Sequence, residues 1–254
     1  MNRWTLLVIG STVYVSTLIA MAPATLVDAG LQHLSHGQLQ LAEARGTLWC
    51  GAGQLEILDM KTKTGIARAI SWNLVSSSLL RGKMVYRIGI DQHSQNPAVN
   101  VFLVTLSRSD VVLENMEINL PVAVLGMVIP KLAALELGGD MHITMPRLSI
   151  AQNSLEGNAT LQWHSTRSAL LPISPIGDYE LSITGRGSTA QATLHTLQGP
   201  LQLDGEGLWM KGHSARFFAT AHIPPSLYSQ LAPFLRLVAV EQSDGSFKWI
   251  PDDH

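Results

Sequence analysis

Short runs of period-2 alternation, repeated over some two hundred residues, most narrow what this chain can fold into. Ile66, Ile70, Trp72 and Leu74 share one face of such a run, with Arg68 the exception. Val99, Val101 and Leu103 share another, as do Ala159, Leu161 and Trp163, then Tyr179, Leu181 and Ile183, then Leu201 and Leu203. Successive side chains of a strand point to opposite faces, so this spacing puts one face on a core and the other in solvent, the antiparallel habit. Turn-forming residues separate the runs: Lys63-Thr64-Gly65, Ser94-Gln95-Asn96-Pro97, Gln152-Asn153-Ser154, Gly185-Arg186-Gly187-Ser188 and Ser243-Asp244-Gly245. The expectation is a mainly β protein with a curved antiparallel sheet and short connecting helices.

Arg45-Gly46-Thr47-Leu48-Trp49-Cys50-Gly51 marks where this pattern begins. Glycines bracket Thr47, Leu48 and Trp49, residues that suit a half-buried pleated surface. Residues 46–57 therefore read as the first strand region, with a turn or bulge at each glycine. An ordinary hairpin is the plainer alternative.

Trp4 to Ala22 is nineteen residues without a charge. As a helix it spans about 28 Å, close to a hydrocarbon core of roughly 30 Å. Trp4, Leu6, Leu7, Val8, Ile9, Val13, Val15, Leu18 and Ile19 would form the lipid-facing anchor. Arg3 precedes the run, which keeps the N-terminus cytoplasmic and sends the rest across. Ala20-Met21-Ala22 resembles a signal-peptide cleavage site, but the run exceeds the usual apolar region of about 7–15 residues and Pro23 is a poor first residue after a cut. An uncleaved single span is the expectation. The chain then divides into a cytoplasmic tip (1–3), an anchor (4–22), a connector with a short helix (23–45) and a β-rich domain (46–254).

Composition supports this division. Charged residues make up only 14% of the 254, against about 25% in typical soluble domains. Uncharged polar residues fill the gap, as expected for the outer face of a sheet. The net charge of −2 offers no basic field for nucleic acid. Cys50 is the single cysteine, so no intramolecular disulfide and no cysteine zinc site can form.

Internal similarity suggests duplication. Pro23, Pro121 and Pro225 each open a short apolar segment suited to a helix start, at intervals of 98 and 104 residues. Trp72 and Trp163 are each followed by a serine and two leucines at identical offsets. The halves would be 23–120 and 121–224, with a partial third unit at 225–254.

Sequence signatures of chemistry are absent. No Gly-x-Ser-x-Gly elbow, phosphate-cradling loop or His-Glu-x-x-His motif occurs. His33 and His36 have a metal-compatible spacing with only Glu43 nearby, and solvated helix-face histidines explain them more simply. The other histidines are scattered, and none has a carboxylate at a telling spacing. Asp252, Asp253 and His254 read as a terminal tail. The expectation is no enzyme, no cofactor and no metal. Trp49, Trp72, Trp163 and Tyr179 are the structural candidates, as sheet core or as the lining of an apolar groove.

Taken together, these features resemble type II secretion system protein N. The resemblance is carried by the anchor ending in Ala22-Pro23-Ala24, by Gly46-Thr47-Leu48-Trp49-Cys50-Gly51, by Ser71-Trp72-Asn73-Leu74 and by Leu161-Gln162-Trp163. Gly177-Asp178-Tyr179, Gly199-Pro200-Leu201-Gln202-Leu203 and the Pro225 to Trp249 unit complete it. Cys50 and His164 depart from it, where a small and a plainer polar residue are expected. The resemblance implies a non-catalytic inner-membrane accessory subunit of a Gram-negative machine that exports folded proteins across the outer membrane. Its partners would be other secretion subunits and the membrane. The alternative is an envelope lipid-binding protein with an apolar β-sheet groove.

Overall fold

The computed structural model describes residues 3–58, 65–91, 99–128, 135–171, 173–210 and 216–249. The expected turns around 63–64 and 94–97 and the tail 252–254 lie outside the described residues, as do the side chains of Leu6 and Val99.

Helix α1 (Arg3–Ala20) leads into α2 (Thr25–Leu34), and the chain then builds one antiparallel sheet of 14 strands. The strands are β1 (Leu39–Gly46), β2 (Cys50–Leu58), β3 (Gly65–Leu74), β4 (Met84–Asp91), β5 (Val99–Leu106), β6 (Asp110–Pro121), β7 (Leu137–Ala151), β8 (Ser154–Ser168), β9 (Gly177–Gly187), β10 (Thr189–Gln198), β11 (Gln202–Met210), β12 (Arg216–His222), β13 (Val240–Glu241) and β14 (Phe247–Trp249). Short helices α3 (Ser76–Leu79), α4 (Ala123–Val128) and α5 (Tyr228–Leu235) sit in the connections. Neighbours in sequence are neighbours in space, except that β14 inserts between β12 and β13. The sheet is open, with β1 and β13 at its edges.

Register fixes an apolar inner face. Leu41 pairs with Leu55, Trp72 with Ile88, Ile88 with Phe102, Ile118 with Ile143, Ile143 with Leu161 and Leu161 with Leu181. Polar residues such as Glu117, Thr144, Gln162 and Glu180 take the other face through the same registers. A slip of one residue would exchange the two faces, so burial of the inner set holds the register. On β5 the inner residues are Phe102, Val104 and Leu106, and Val101 is 48% exposed. This corrects the face expected from Val99, Val101 and Leu103. β5 is apolar on both faces, and periodicity cannot choose between two apolar faces.

Two helices cover parts of the inner face. Ala24, Leu41 and Trp72 form a buried cluster with Val27 and Leu31 of α2, next to Ile70, Tyr86 and Ile88. Val27 and Leu31 are four residues apart and share a helix face. Asp28, in the first turn of α2, complements the helix dipole and accepts the Leu41 N–H at 2.8 Å. Left-handed His36 and Gly37 end this segment and turn it into β1. At the far side of the sheet, Leu231, Ala232, Phe234 and Leu235 of α5 pack on Leu135, Ile176, Leu201, Ala221 and Phe247. Each fully buried aliphatic or aromatic side chain there contributes roughly 1.5–3 kcal/mol.

Two expectations change. The connector 23–45 contains β1, whose Ala42, Glu43 and Ala44 gave no strand signal. Thr47 to Trp49 form the β1–β2 turn instead of a strand: Gly46 has φ +94°, and the Thr47 N–H donates to the Cys50 carbonyl at 2.8 Å. The sheet order shows no seam at residue 120, and β3 and β8, which carry Trp72 and Trp163, run in opposite directions.

The N-terminal run is a helix of 18 residues, ending two residues before the expected limit. Among the described residues, no helix is long and apolar enough to cross a membrane. Gly10, Ser11, Thr12, Ser16 and Thr17 dilute the run.

Candidate functional site

The inner face beside the α5 cluster holds the candidate site. One groove of about 410 Å³ is lined by Ile150, Leu155, Ile183, Ala190, Ala192, Gly207, Trp209 and Phe217, with Gln152, Gln191 and Arg216 among its polar members. These residues come from strands β7 through β12. A flat sheet would spread six strands over about 24 Å, so one groove reaching all of them requires a concave sheet. Glycine makes the space. Gly207 lies opposite Phe217, and a Cβ there would meet the ring at 2.5 Å. Ala190 lies opposite Trp209 in the same way.

None of the four aromatic residues expected at the site lines this groove. Trp72 is only 5% exposed beneath α2, and its Nε1 donates to the Thr47 carbonyl at 3.1 Å. Gly51 faces it, and a Cβ there would collide with the indole. Trp163 is half-buried and donates to the Gly138 carbonyl at 3.2 Å. Its ring meets Tyr179 edge-on, with centroids 6.1 Å apart. Tyr179 is buried and donates to the Leu201 carbonyl at 3.1 Å; burial first, then the Asp178 carboxylate, pushes its phenol pKa up. These three are sheet core. Trp49 lies in the β1–β2 turn, where its Nε1 donates to the Ile19 carbonyl at 2.8 Å. The groove aromatics Trp209 and Phe217 went unseen. Their signal was the alternation Gly205, Gly207, Trp209, small residues sharing a strand face with a large one.

The polar face holds imidazole–carboxylate pairs that linear spacing concealed. His164 Nδ1 lies 3.3 Å from Asp178 Oδ2, His195 Nε2 lies 3.6 Å from Glu180 Oε1, and His142 Nε2 lies 3.4 Å from Glu117 Oε1. No chain spacing announces these contacts. Cross-strand partners are fixed by register, not by chain distance. Asp178 also accepts the Ser165 N–H at 2.8 Å and the Gln198 amide at 2.7 Å. Burial pulls its pKa upward, but the hydrogen bonds from Ser165, Gln198 and His164 prevail and hold it below the usual aspartate value. Ser165 has a left-handed backbone at the β8 bulge, which aims its N–H at this carboxylate. Among the described residues, no group of three or more His, Cys, Asp or Glu could hold a metal ion.

The family model for the type II secretion system (T2SS), protein N, matches residues 37–249, from the approach to β1 through β14. The chain belongs to that family. Comparison with curated proteins and with solved structures gives no significant match.

Proposed function

We propose that this protein is a non-catalytic accessory subunit of the type II secretion machinery, held at the inner membrane, with its sheet in the periplasm. The observation that carries this reading is the family match, which covers the whole sheet. Helix α1 is the proposed tether. Trp4, Leu7, Val8, Ile9, Val13, Val15, Leu18 and Ile19 are all exposed, and so large an exposed apolar surface on one helix favours lipid over water. Its 18 residues give about 27 Å, and the turn residues Met21 and Ala22 extend the apolar run. The open sheet edges at β1 and β13 are suited to pairing with strands of other secretion subunits. The test is a chromosomal deletion: exported proteins should accumulate in the periplasm, and the full chain should restore their release. Normal export in the deletion strain would sink the reading.

The groove supports a second reading, an apolar ligand such as an acyl chain held on the inner face. Its lining is almost wholly aliphatic and aromatic, with Arg216 at one side. Ala192→Trp should fill the groove. If the parent co-purifies with lipid and the variant does not, the second reading stands. If neither carries lipid, it falls.

A further inference from the structure

The two rims of the sheet differ, and the difference singles out one of them. The β1–β2, β3–β4, β5–β6, β7–β8 and β9–β10 connections all lie at one rim, because consecutive strands alternate in direction. Helix α1 meets the sheet at this same rim. The Leu48 N–H donates to the Ala22 carbonyl at 2.8 Å, the Ala24 N–H to the Gly46 carbonyl at 3.2 Å, and the Trp49 indole to the Ile19 carbonyl. The β3–β4 connection starts beside that junction, where the Leu74 N–H donates to the Trp49 carbonyl at 2.7 Å.

This connection, residues 75–83, has an unusual tip. Leu80 is 93% exposed and Leu79 is 48% exposed. Arg81 and Lys83 follow directly, and both are exposed. Arg108 stands exposed in the next connection along the rim. These five connections carry Arg81, Lys83 and Arg108 and no acidic residue. Among the described residues, none of the three cations has a carboxylate partner. The opposite rim also exposes a leucine, Leu34, and Asp91, Glu136 and Asp244 lie there, while Asp110 opens β6 at this rim. Apolar exposure alone does not choose between the rims. The α1 junction does, and it sets Arg81, Lys83 and Arg108 beside the helix.

We propose that this rim rests on the surface of the membrane that α1 enters, with Leu79 and Leu80 dipping to the acyl boundary and Arg81, Lys83 and Arg108 on anionic headgroups. The inference rests on the reading of α1 as a membrane tether. Paired apolar and basic side chains on one short loop suit the interface, where the apolar tip leaves water and the cations meet the negative surface potential. A rim held flat on the bilayer also fixes the direction in which the sheet projects into the periplasm. The groove residues Ile150 and Leu155 flank the β7–β8 connection, so the groove reaches this rim.

The experiment uses the full chain with Cys50→Ser, reconstituted in bilayers of phosphatidylethanolamine and phosphatidylglycerol. A fluorophore is attached through Leu80→Cys, through Ser243→Cys at the opposite rim, or through Val8→Cys in α1. Lipids spin-labelled near the headgroup should quench position 80, lipids labelled in the acyl chains should quench position 8, and neither should quench position 243. One cation near an anionic surface shifts the docked population by about five-fold. Arg81→Glu with Lys83→Glu should therefore lower docking at position 80 by more than about twenty-fold, as should bilayers of phosphatidylcholine alone. Both side chains are exposed, so an unchanged thermal melt verifies the fold of the variant. Quenching at position 8 without quenching at position 80 would overturn the proposal and leave the tether intact. Quenching at position 80 that survives the charge reversal would overturn the headgroup contact. No quenching at position 8 would overturn the tether, and the proposal with it.

Discussion

Trp72 and Trp163 have similar sequence surroundings but unequal burial. Trp72 lies under α2, while Trp163 is half-buried against Tyr179. Trp72→Ala should cost about 3–5 kcal/mol and Trp163→Ala about 2–3 kcal/mol, because the cost follows the packing lost. Urea unfolding of the two variants checks the order, and equal losses would contradict it. Asp178 makes a pH prediction. Its folded pKa lies below its unfolded value of 3.8, so the folded state binds fewer protons through that range. The stabilisation is complete above the unfolded value and is lost as pH falls through the folded one. The parent should therefore lose more stability below about pH 4 than Asp178→Asn, whose amide does not titrate. Parallel acid titrations by circular dichroism would reveal a difference, and superimposable curves would contradict the assignment. Thr166 Oγ1 is buried without a hydrogen-bond partner among the described residues. Thr166→Val removes that hydroxyl at nearly constant shape and should raise stability by up to about 1 kcal/mol.

At the scale of elements, α2 shows how one side chain holds a helix on a sheet. Asp28 accepts the Leu41 N–H, and Leu41 belongs to the edge strand. Asp28→Ala should destabilise by about 1–2 kcal/mol, whereas Asp28→Asn keeps an acceptor oxygen and should cost less. The comparison of the two melts distinguishes the hydrogen bond from helix propensity. These elements also mark what the sequence could disclose. Strands β3, β8 and β9 were legible because each alternates strongly between apolar and polar residues. β1 was not, since Ala42, Glu43 and Ala44 favour helix and its strand character comes from pairing with β2. The inner face of β5 was not legible either, because both of its faces are apolar and only the neighbours choose. The three imidazole–carboxylate contacts depend on register across strands, and no chain spacing encodes it. The groove depends on sheet curvature and on Gly205 and Gly207 sharing a face with Trp209, a longer-range property than any motif.

The described residues form an open sheet with one apolar concave face, partly covered by α2 and α5, and one face that is mostly polar outside β5. The chain belongs to the type II secretion system protein N family, and the proposed role works through its surfaces and edges, with no chemical step of its own. The most direct test is complementation of the deletion strain with the parent and with His164→Ala, Asp178→Asn and His195→Ala. These three side chains belong to two of the imidazole–carboxylate contacts on the polar face. Each variant's abundance is followed in the same cells by immunoblot. The account predicts that the deletion traps exported proteins in the periplasm, and that all three variants, present at normal abundance, restore their release to the level of the parent. A normally abundant variant that restores nothing would contradict the absence of a chemical step, and unimpaired export in the deletion strain would contradict the role in secretion.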